Sequence, residues 1–183
     1  MGHARKVKWP PILAASLVSS LLVSGLAAGC GAGTTRASAA PTVSRNGVTV
    51  TLTYRPDPQA GPEAGELIAT FRPNQAGFHL YSKDLPPAGI SGVGYPTRAR
   101  PTRGLALTGV PSASVDPVAL VVQSVGLTLP VYPDGPVTLT EPVRRLSPSA
   151  LTSTVLISYA ACSSSLCLQP VVDQPIAVTL AQA

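Results

Sequence analysis

Short runs in which apolar and polar residues alternate recur along this chain, and proline or glycine separates one run from the next. Residues 47–54 read Gly-Val-Thr-Val-Thr-Leu-Thr-Tyr, so the apolar side chains fall on every second position. Period two places those side chains on one face of a β-strand. The 20 prolines and 16 glycines interrupt the 183 residues too often for long helices. The pattern therefore predicts an all-β protein.

Eight segments carry the strand signal, with turn residues between them. They are residues 47–54, 66–71, 77–82, 104–108, 118–122, 137–140, 151–159 and 176–180. The proline-rich segment 83–102 is predicted to be a long loop that crosses between sheets. Short strands at this spacing favour an immunoglobulin-like antiparallel β-sandwich, and we assign it to residues 46–183.

The first 30 residues have the organisation of an export signal. Three basic residues precede an apolar stretch at 12–23, and small residues follow. Serines break the stretch, which makes it marginal as a span of about 20 apolar residues. Residues 26–30, Leu-Ala-Ala-Gly-Cys, resemble a bacterial lipobox, in which the cysteine is acylated and becomes the mature N-terminus. We therefore expect a lipoprotein held to the lipid bilayer through Cys30, periplasmic or on the outer face of the cell membrane. The alternative is a soluble secreted protein.

Residues 31–45 are small, polar and aperiodic, so they are predicted to form a flexible tether.

The formal net charge of +5 includes three basic residues of the signal, and the remaining 10 basic and 8 acidic residues give only +2. Arg98, Arg100 and Arg103 lie in the segment predicted as a loop, without aromatic neighbours. We therefore expect no nucleic-acid partner.

Four residues separate Cys162 from Cys167, between the predicted strands 151–159 and 176–180. The two cysteines could bond across a hairpin turn in an exported protein. Such a bond closes a loop of about six residues, which the chain-entropy model values at about 2 kcal/mol, against about 4.7 for 100 residues. The spacing favours a redox pair over a structural bond and leaves both open.

Metal binding is disfavoured, because His79 is the one histidine after Cys30 and no methionine follows it. Two cysteines and one histidine do not complete a four-ligand zinc site, and copper normally takes methionine or more histidines. No cation lies within several residues of either cysteine to activate a thiolate, although folding could bring one close. No Ser/His/Asp arrangement for a hydrolase is visible either.

Three stretches match a known pattern in the same order. Tyr159-Ala-Ala-Cys162 and Cys167-Leu-Gln-Pro170 resemble a Tyr-x-x-Cys…Cys-x-Pro-Pro hairpin, and residues 76–82 and 131–139 resemble two further strands. The pattern is that of the N-terminal periplasmic domain of the thiol:disulfide interchange protein DsbD family, and the resemblance covers about residues 46–181. Gln169 stands where the family often has proline, and residues 124–130 lack an aromatic cap. The family's membrane-spanning and C-terminal thioredoxin-like domains have no counterpart here, so we expect a stand-alone module.

The resemblance implies that Cys162 and Cys167 form a redox-active disulfide, with Cys167 forming the mixed disulfide and Cys162 resolving it. Phe78 and Tyr81 would lie near the pair and shield it, and His79 would face the other way. The implied partner is a thioredoxin-like or membrane electron-carrier protein. Electrons would pass on to disulfide isomerases or cytochrome c maturation, with no cofactor and no metal. The alternative is a non-enzymatic envelope binding or accessory module with a structural disulfide.

Overall fold

The computed structural model describes residues 40–123 and 126–181. The predicted signal, Cys30 and most of the predicted tether lie outside these ranges. Thirteen strands follow one another in chain order. They are β1 Thr42–Arg45, β2 Val48–Pro56, β3 Ala64–Pro73, β4 His79–Tyr81, β5 Arg98–Arg103, β6 Leu105–Leu107, β7 Ser112–Ala113, β8 Val118–Val122, β9 Leu127–Tyr132, β10 Val137–Arg145, β11 Thr152–Tyr159, β12 Ala161–Cys162 and β13 Val171–Thr179. The described ranges contain no helix, and so none that could cross a membrane.

The first sheet has the order β1-β2-β3-β10-β6, and β7 also pairs with β10. Its pairings are antiparallel. The alternation seen in the sequence sets its two faces: Val48, Val50 and Leu52 are fully buried on β2, whereas the threonines between them are partly exposed. A one-residue slip of this strand would turn all of these apolar side chains to water, so the register is well specified.

The second sheet, β13-β11-β5, packs against the first across the main core. Leu52 and Leu67 of the first sheet meet Val155 and Ile157 of the second in one cluster of buried residues. The rings of Phe71 and Tyr159 contact edge to face across this core, with centroids 5.8 Å apart. The predicted all-β, immunoglobulin-like antiparallel sandwich is confirmed.

The third sheet has the order β12-β4-β9-β8 and is also antiparallel. It supports a separate small core, made of Tyr81, Leu85, Leu129, Val131, Ala160 and Cys162. The three residues of β4 are all buried, because Leu80 packs into the main core and Tyr81 into the small core. This sheet therefore links the sandwich to the cysteine pair.

Two assignments made from the sequence need correction. Residues 42–45, predicted as the end of the tether, form β1, and the Tyr159 hydroxyl donates a 2.7 Å hydrogen bond to the Arg45 carbonyl. Residues 98–103, predicted as loop, form the edge strand β5 along β11. Both strands lie at a sheet edge with few buried side chains, so neither carries a clear alternating pattern.

Candidate disulfide site

The predicted strands on either side of the cysteines do pair. β11 and β13 run antiparallel from Thr152 opposite Thr179 to Tyr159 opposite Val171. A bulge interrupts the ladder after Ile157, where Asp173 adopts a positive φ of 48° and its N–H donates to the Ser158 hydroxyl. Immediately after Tyr159 the chain leaves this ladder, so both cysteines lie beyond its last pair, in the connection between the two strands.

The cysteine segment instead joins the third sheet. Residues Ala161 and Cys162 pair with β4, and Cys162 lies directly opposite His79. A tight turn follows, closed by the Ser163 N–H on the Leu166 carbonyl at 2.7 Å, and it returns the chain to Cys167. Cys162 and Cys167 are joined by a disulfide, with their Cα atoms 4.1 Å apart.

The two sulfur-bearing residues differ in their surroundings. Cys162 is 4% exposed and belongs to the small core, whereas Cys167 is exposed on the turn. The Tyr81 hydroxyl donates a hydrogen bond to Cys162 Sγ at 3.3 Å. Burial raises the pKa of Tyr81, so the phenol keeps the proton that it donates. The buried sulfur therefore has a permanent hydrogen-bond donor, and the exposed one is open to approach.

The loop after β4 holds the Tyr81 ring in place. Gly94 has a φ of +76°, and a Cβ at this position would lie 2.9 Å from the Tyr81 ring and 3.1 Å from Leu129. Val93 and Tyr95 pack beside it against the small core. Only glycine allows the backbone to approach the ring this closely with that φ.

His79 occupies a different place from the one predicted. It is 9% exposed, contacts Tyr81 edge to face with ring centroids 5.6 Å apart, and lies beside Cys162 rather than facing away. Residues 79 and 81 are two positions apart on a strand and share a face, whereas residues 78 and 81 are three apart and do not. Accordingly, Phe78 packs in the main core with Leu80, and Tyr81 alone of the predicted pair contacts Cys162.

Burial lowers the pKa of His79, and the nearby charge of Asp134 opposes this in part. The imidazole is therefore neutral at neutral pH. Its Nε2 is buried and has no hydrogen-bond partner among the described residues. The strand period could have revealed this site: once Tyr81 is placed at the cysteines, the same face must also present His79.

A cleft of about 530 Å³ lies at the pair. His79, Tyr81 and both cysteines line it, together with residues 120–123 at the end of β8 and 163–166 of the turn. Apolar side chains are exposed beside it, with Leu166 at 54% and Val121 at 53%. An exposed apolar rim of this kind beside a disulfide is suited to contact with another protein.

No group of three or more His, Cys, Asp or Glu residues that could hold a metal ion occurs within residues 40–123 and 126–181. Lipidation at Cys30 falls outside these ranges. The groups at the cleft that can take part in chemistry include the disulfide, and a phenol and an imidazole lie on the face of β4 beside it.

No protein-family model matches the sequence, and no curated protein is similar to it. The fold is similar to the crystal structure of the N-terminal periplasmic domain of ScsB from Proteus mirabilis, with a TM-score of 0.51 and 10% identity. That match covers 77% of this chain and 50% of the ScsB chain, so the chain spans about half the length of its relative. A second similar structure is the reduced DsbD N-terminal domain of Neisseria meningitidis, with a TM-score of 0.42, 16% identity, and coverage of 68% of this chain and 89% of that one.

Proposed function

We propose that this protein performs extracytoplasmic thiol–disulfide exchange through the Cys162–Cys167 disulfide. The observation that carries the proposal is the contrast between the exposed Cys167 and the buried, hydrogen-bonded Cys162. A bond that only stabilises the fold has no need of one accessible sulfur and one stabilised leaving group. An exchange reaction requires both.

The chemistry begins when a thiolate of a reduced partner attacks Cys167 Sγ. The bond between the two sulfurs breaks, and its electron pair stays on Cys162 Sγ, which leaves as a thiolate and accepts the Tyr81 hydrogen bond. The partner is now joined to Cys167. Its second thiolate attacks its own joined sulfur, which releases Cys167 as a thiolate; the partner becomes a disulfide and the pair a dithiol.

In the second half-reaction the reduced pair passes its electrons on. The Cys167 thiolate attacks a substrate disulfide and forms a mixed disulfide, and Cys162 then attacks Cys167 Sγ and expels the substrate thiolate. The pair is oxidised again and the substrate is reduced by two electrons. We infer a thioredoxin-like or membrane electron-carrier protein as the donor, and disulfide isomerases or cytochrome c maturation proteins as recipients.

The turn has hydrogen bonds that do not depend on the disulfide. The Leu168 N–H donates to the Ala161 carbonyl at 3.0 Å, and the Asn46 side chain donates to the Gln169 carbonyl at 2.8 Å. The bond closes a loop of about six residues, which contributes about 2 kcal/mol on the chain-entropy model. The domain can therefore lose the bond in each cycle without unfolding, as exchange requires.

The reduction potential tests the proposal. We expect the pair to equilibrate with a dithiol redox buffer in the range of exchange proteins, roughly −120 to −270 mV. A potential below about −300 mV would mark a structural bond and favour the alternative of a non-enzymatic envelope module.

Trapping provides a second test with a matched control. The Cys162→Ser variant keeps the exposed Cys167 thiol but lacks the thiol that would resolve a mixed disulfide. It should therefore accumulate a mixed disulfide with an oxidised thioredoxin-like protein. The Cys167→Ser variant keeps only the buried thiol of the pair and should trap no partner through it. Equal trapping by both variants, or trapping by neither, would refute the assigned roles.

We also propose that residues 1–30 are a lipoprotein signal, that Cys30 is acylated, and that the segment up to residue 41 tethers the domain to the outer face of a membrane. The sequence at 26–30 supports this. Mass spectrometry of the mature N-terminus should find a lipid-modified Cys30, and Cys30→Ser should release the protein from the membrane fraction. An unmodified N-terminus in a membrane-free protein would contradict the lipid anchor and leave the exchange proposal unaffected.

A further inference from the structure

We propose that His79 is the proton acceptor for the Cys162 thiol when this residue resolves a mixed disulfide held by Cys167. This inference rests on the exchange function proposed above and adds the group that activates the buried sulfur. Near neutral pH a thiol must lose its proton before it attacks, and nothing near either cysteine in the sequence serves this purpose.

The position of His79 provides the missing base. His79 pairs directly with Cys162 across two antiparallel strands. Side chains opposed in this way lie on the same face, with Cβ atoms about 4.5–5.5 Å apart. Nε2 is buried without a partner among the described residues, and the side chain lines the same cleft as both cysteines. Buried polar groups are normally satisfied, so an unpaired imidazole nitrogen on the same face as Cys162 is available to accept a proton when that residue is a thiol.

The charges around His79 suit an acceptor. Cys162 faces it from β12, Tyr81 stands on its own strand, and Asp134 acts on it from the turn between β9 and β10. The other residues that line the cleft are uncharged. Because burial outweighs the Asp134 carboxylate, the imidazole is neutral at neutral pH and ready to accept a proton.

The proposed step moves one proton and replaces one disulfide bond with another. The Cys162 thiol gives its proton to the neutral imidazole, directly or through one water, and becomes a thiolate. The thiolate attacks Cys167 Sγ, a new bond forms between the two cysteines, and the bond to the substrate sulfur breaks. The electron pair leaves on the substrate sulfur, and the imidazolium gives its proton to that thiolate or to water in the cleft.

The pH dependence of resolution tests the step. The reduced Cys30→Ser protein, which keeps only the two cysteines of the pair, is mixed with Ellman's reagent: Cys167 attacks and releases one coloured thiolate, and Cys162 then resolves the adduct and releases the second. With His79 as acceptor, the second rate rises with pH only up to the imidazole pKa, below 6.5, and then stays level until the thiol itself ionises. If no imidazole accepts the proton, the rate of the second release rises tenfold per pH unit up to about pH 8.5, the usual thiol pKa.

The His79→Gln variant should therefore resolve at least about tenfold more slowly than the wild type at pH 7 and approach the wild-type rate at pH 9.5, where no base is needed. A loss that persists at pH 9.5 would indicate a structural role and overturn the inference. If this variant does not fold, the pH dependence of the wild-type resolution rate decides alone. A resolution rate that rises without a level region below pH 8 refutes the role of His79 as proton acceptor. A missing second release at every pH would instead refute the exchange function, so the two failures are distinguishable.

Discussion

Replacing Glu141 with glutamine should remove a loss of stability that the protein undergoes as the pH rises from 5 to 9. Glu141 occupies an inward position of β10, two residues beyond Leu139, and is 2% exposed. Its Oε2 has no hydrogen-bond partner among the described residues. Burial raises the pKa of Glu141 to about 8, and a hydrogen bond from the Ala99 backbone opposes the increase.

The sign of the effect follows from proton binding. Between 4.5, the value of the unfolded chain, and about 8, the folded carboxyl holds a proton that the unfolded one has lost. The unfolded state binds fewer protons in this window, so the stability is fully present below pH 4.5 and falls as the pH rises through 8. Integrated from pH 5 to pH 9, the loss in the free energy of unfolding is about 4 kcal/mol. This is a large part of the 5–15 kcal/mol that a typical domain possesses.

Urea unfolding of the oxidised protein at each half pH unit measures the effect. The free-energy difference between wild type and Glu141→Gln cancels the contributions of other titrating groups, including His79. It should shift by about 4 kcal/mol in favour of the variant between pH 5 and pH 9. Glu141→Met serves as a matched control, because it removes the ionisation and also the need for polar partners, which Gln retains. For both variants, the difference from the wild type in the free energy of unfolding should change with pH in parallel. A difference that does not change with pH would refute the raised pKa of the buried Glu141 carboxyl.

Three further substitutions test the packing around the site. Tyr159→Phe removes the hydroxyl that anchors β1 at the Arg45 carbonyl, so it should cost about 1 kcal/mol in urea unfolding and speed amide exchange in β1; unchanged exchange there would argue against the anchor. Gly94→Ala should cost about 1–3 kcal/mol and change the near-ultraviolet circular dichroism, since the new methyl group meets the Tyr81 ring, and an unperturbed spectrum would count against that contact. Leu52→Ala should cost about 2–5 kcal/mol in thermal unfolding, while the folded protein keeps its rate of thiol–disulfide exchange. A slower rate of thiol–disulfide exchange would show that the main core and the small core are coupled.

The period-two pattern predicted the strands whose side chains form the main core. All eight predicted segments overlap observed strands, and those of the main core, such as β2 and β11, alternate buried with more open positions. Strand β9 was not among the eight segments, although Leu127, Leu129 and Val131 alternate along it, whereas the missed strands β5 and β12 lack this pattern. β5 reads Arg-Ala-Arg-Pro-Thr-Arg and buries only Ala99, and β12 consists of two residues whose partner strand lies about 80 residues earlier. Pairing over such a distance leaves no local signal in the chain.

The alternating pattern also could not predict which charged residues occupy inward, buried positions. Glu141 and Arg145 follow the parity of Leu139 on β10, but hydropathy alone assigns a charged residue to the surface. Arg145 is buried because its guanidinium donates to the carbonyls of Pro148 and Ala150, at 2.7 and 2.5 Å. These partners come from a turn whose path depends on the finished fold. For Glu141, the cost of burial is visible in its raised pKa rather than in any sequence feature.

The short strand β4 explains how a site at the periphery of the domain can be held rigidly. Leu80 fixes the strand to the main core, while His79 and Tyr81, on the opposite face, stand beside Cys162. The buried sulfur is thus positioned by a strand that the largest apolar cluster of the protein holds in place. Cys167 lies beyond that support, on a turn closed mainly by its own hydrogen bonds. In the proposed exchange, the sulfur assigned to meet a partner is therefore the exposed one, and the sulfur assigned to resolve the adduct is the one that β4 positions. This difference in surroundings follows from the strand order rather than from the spacing of the two cysteines.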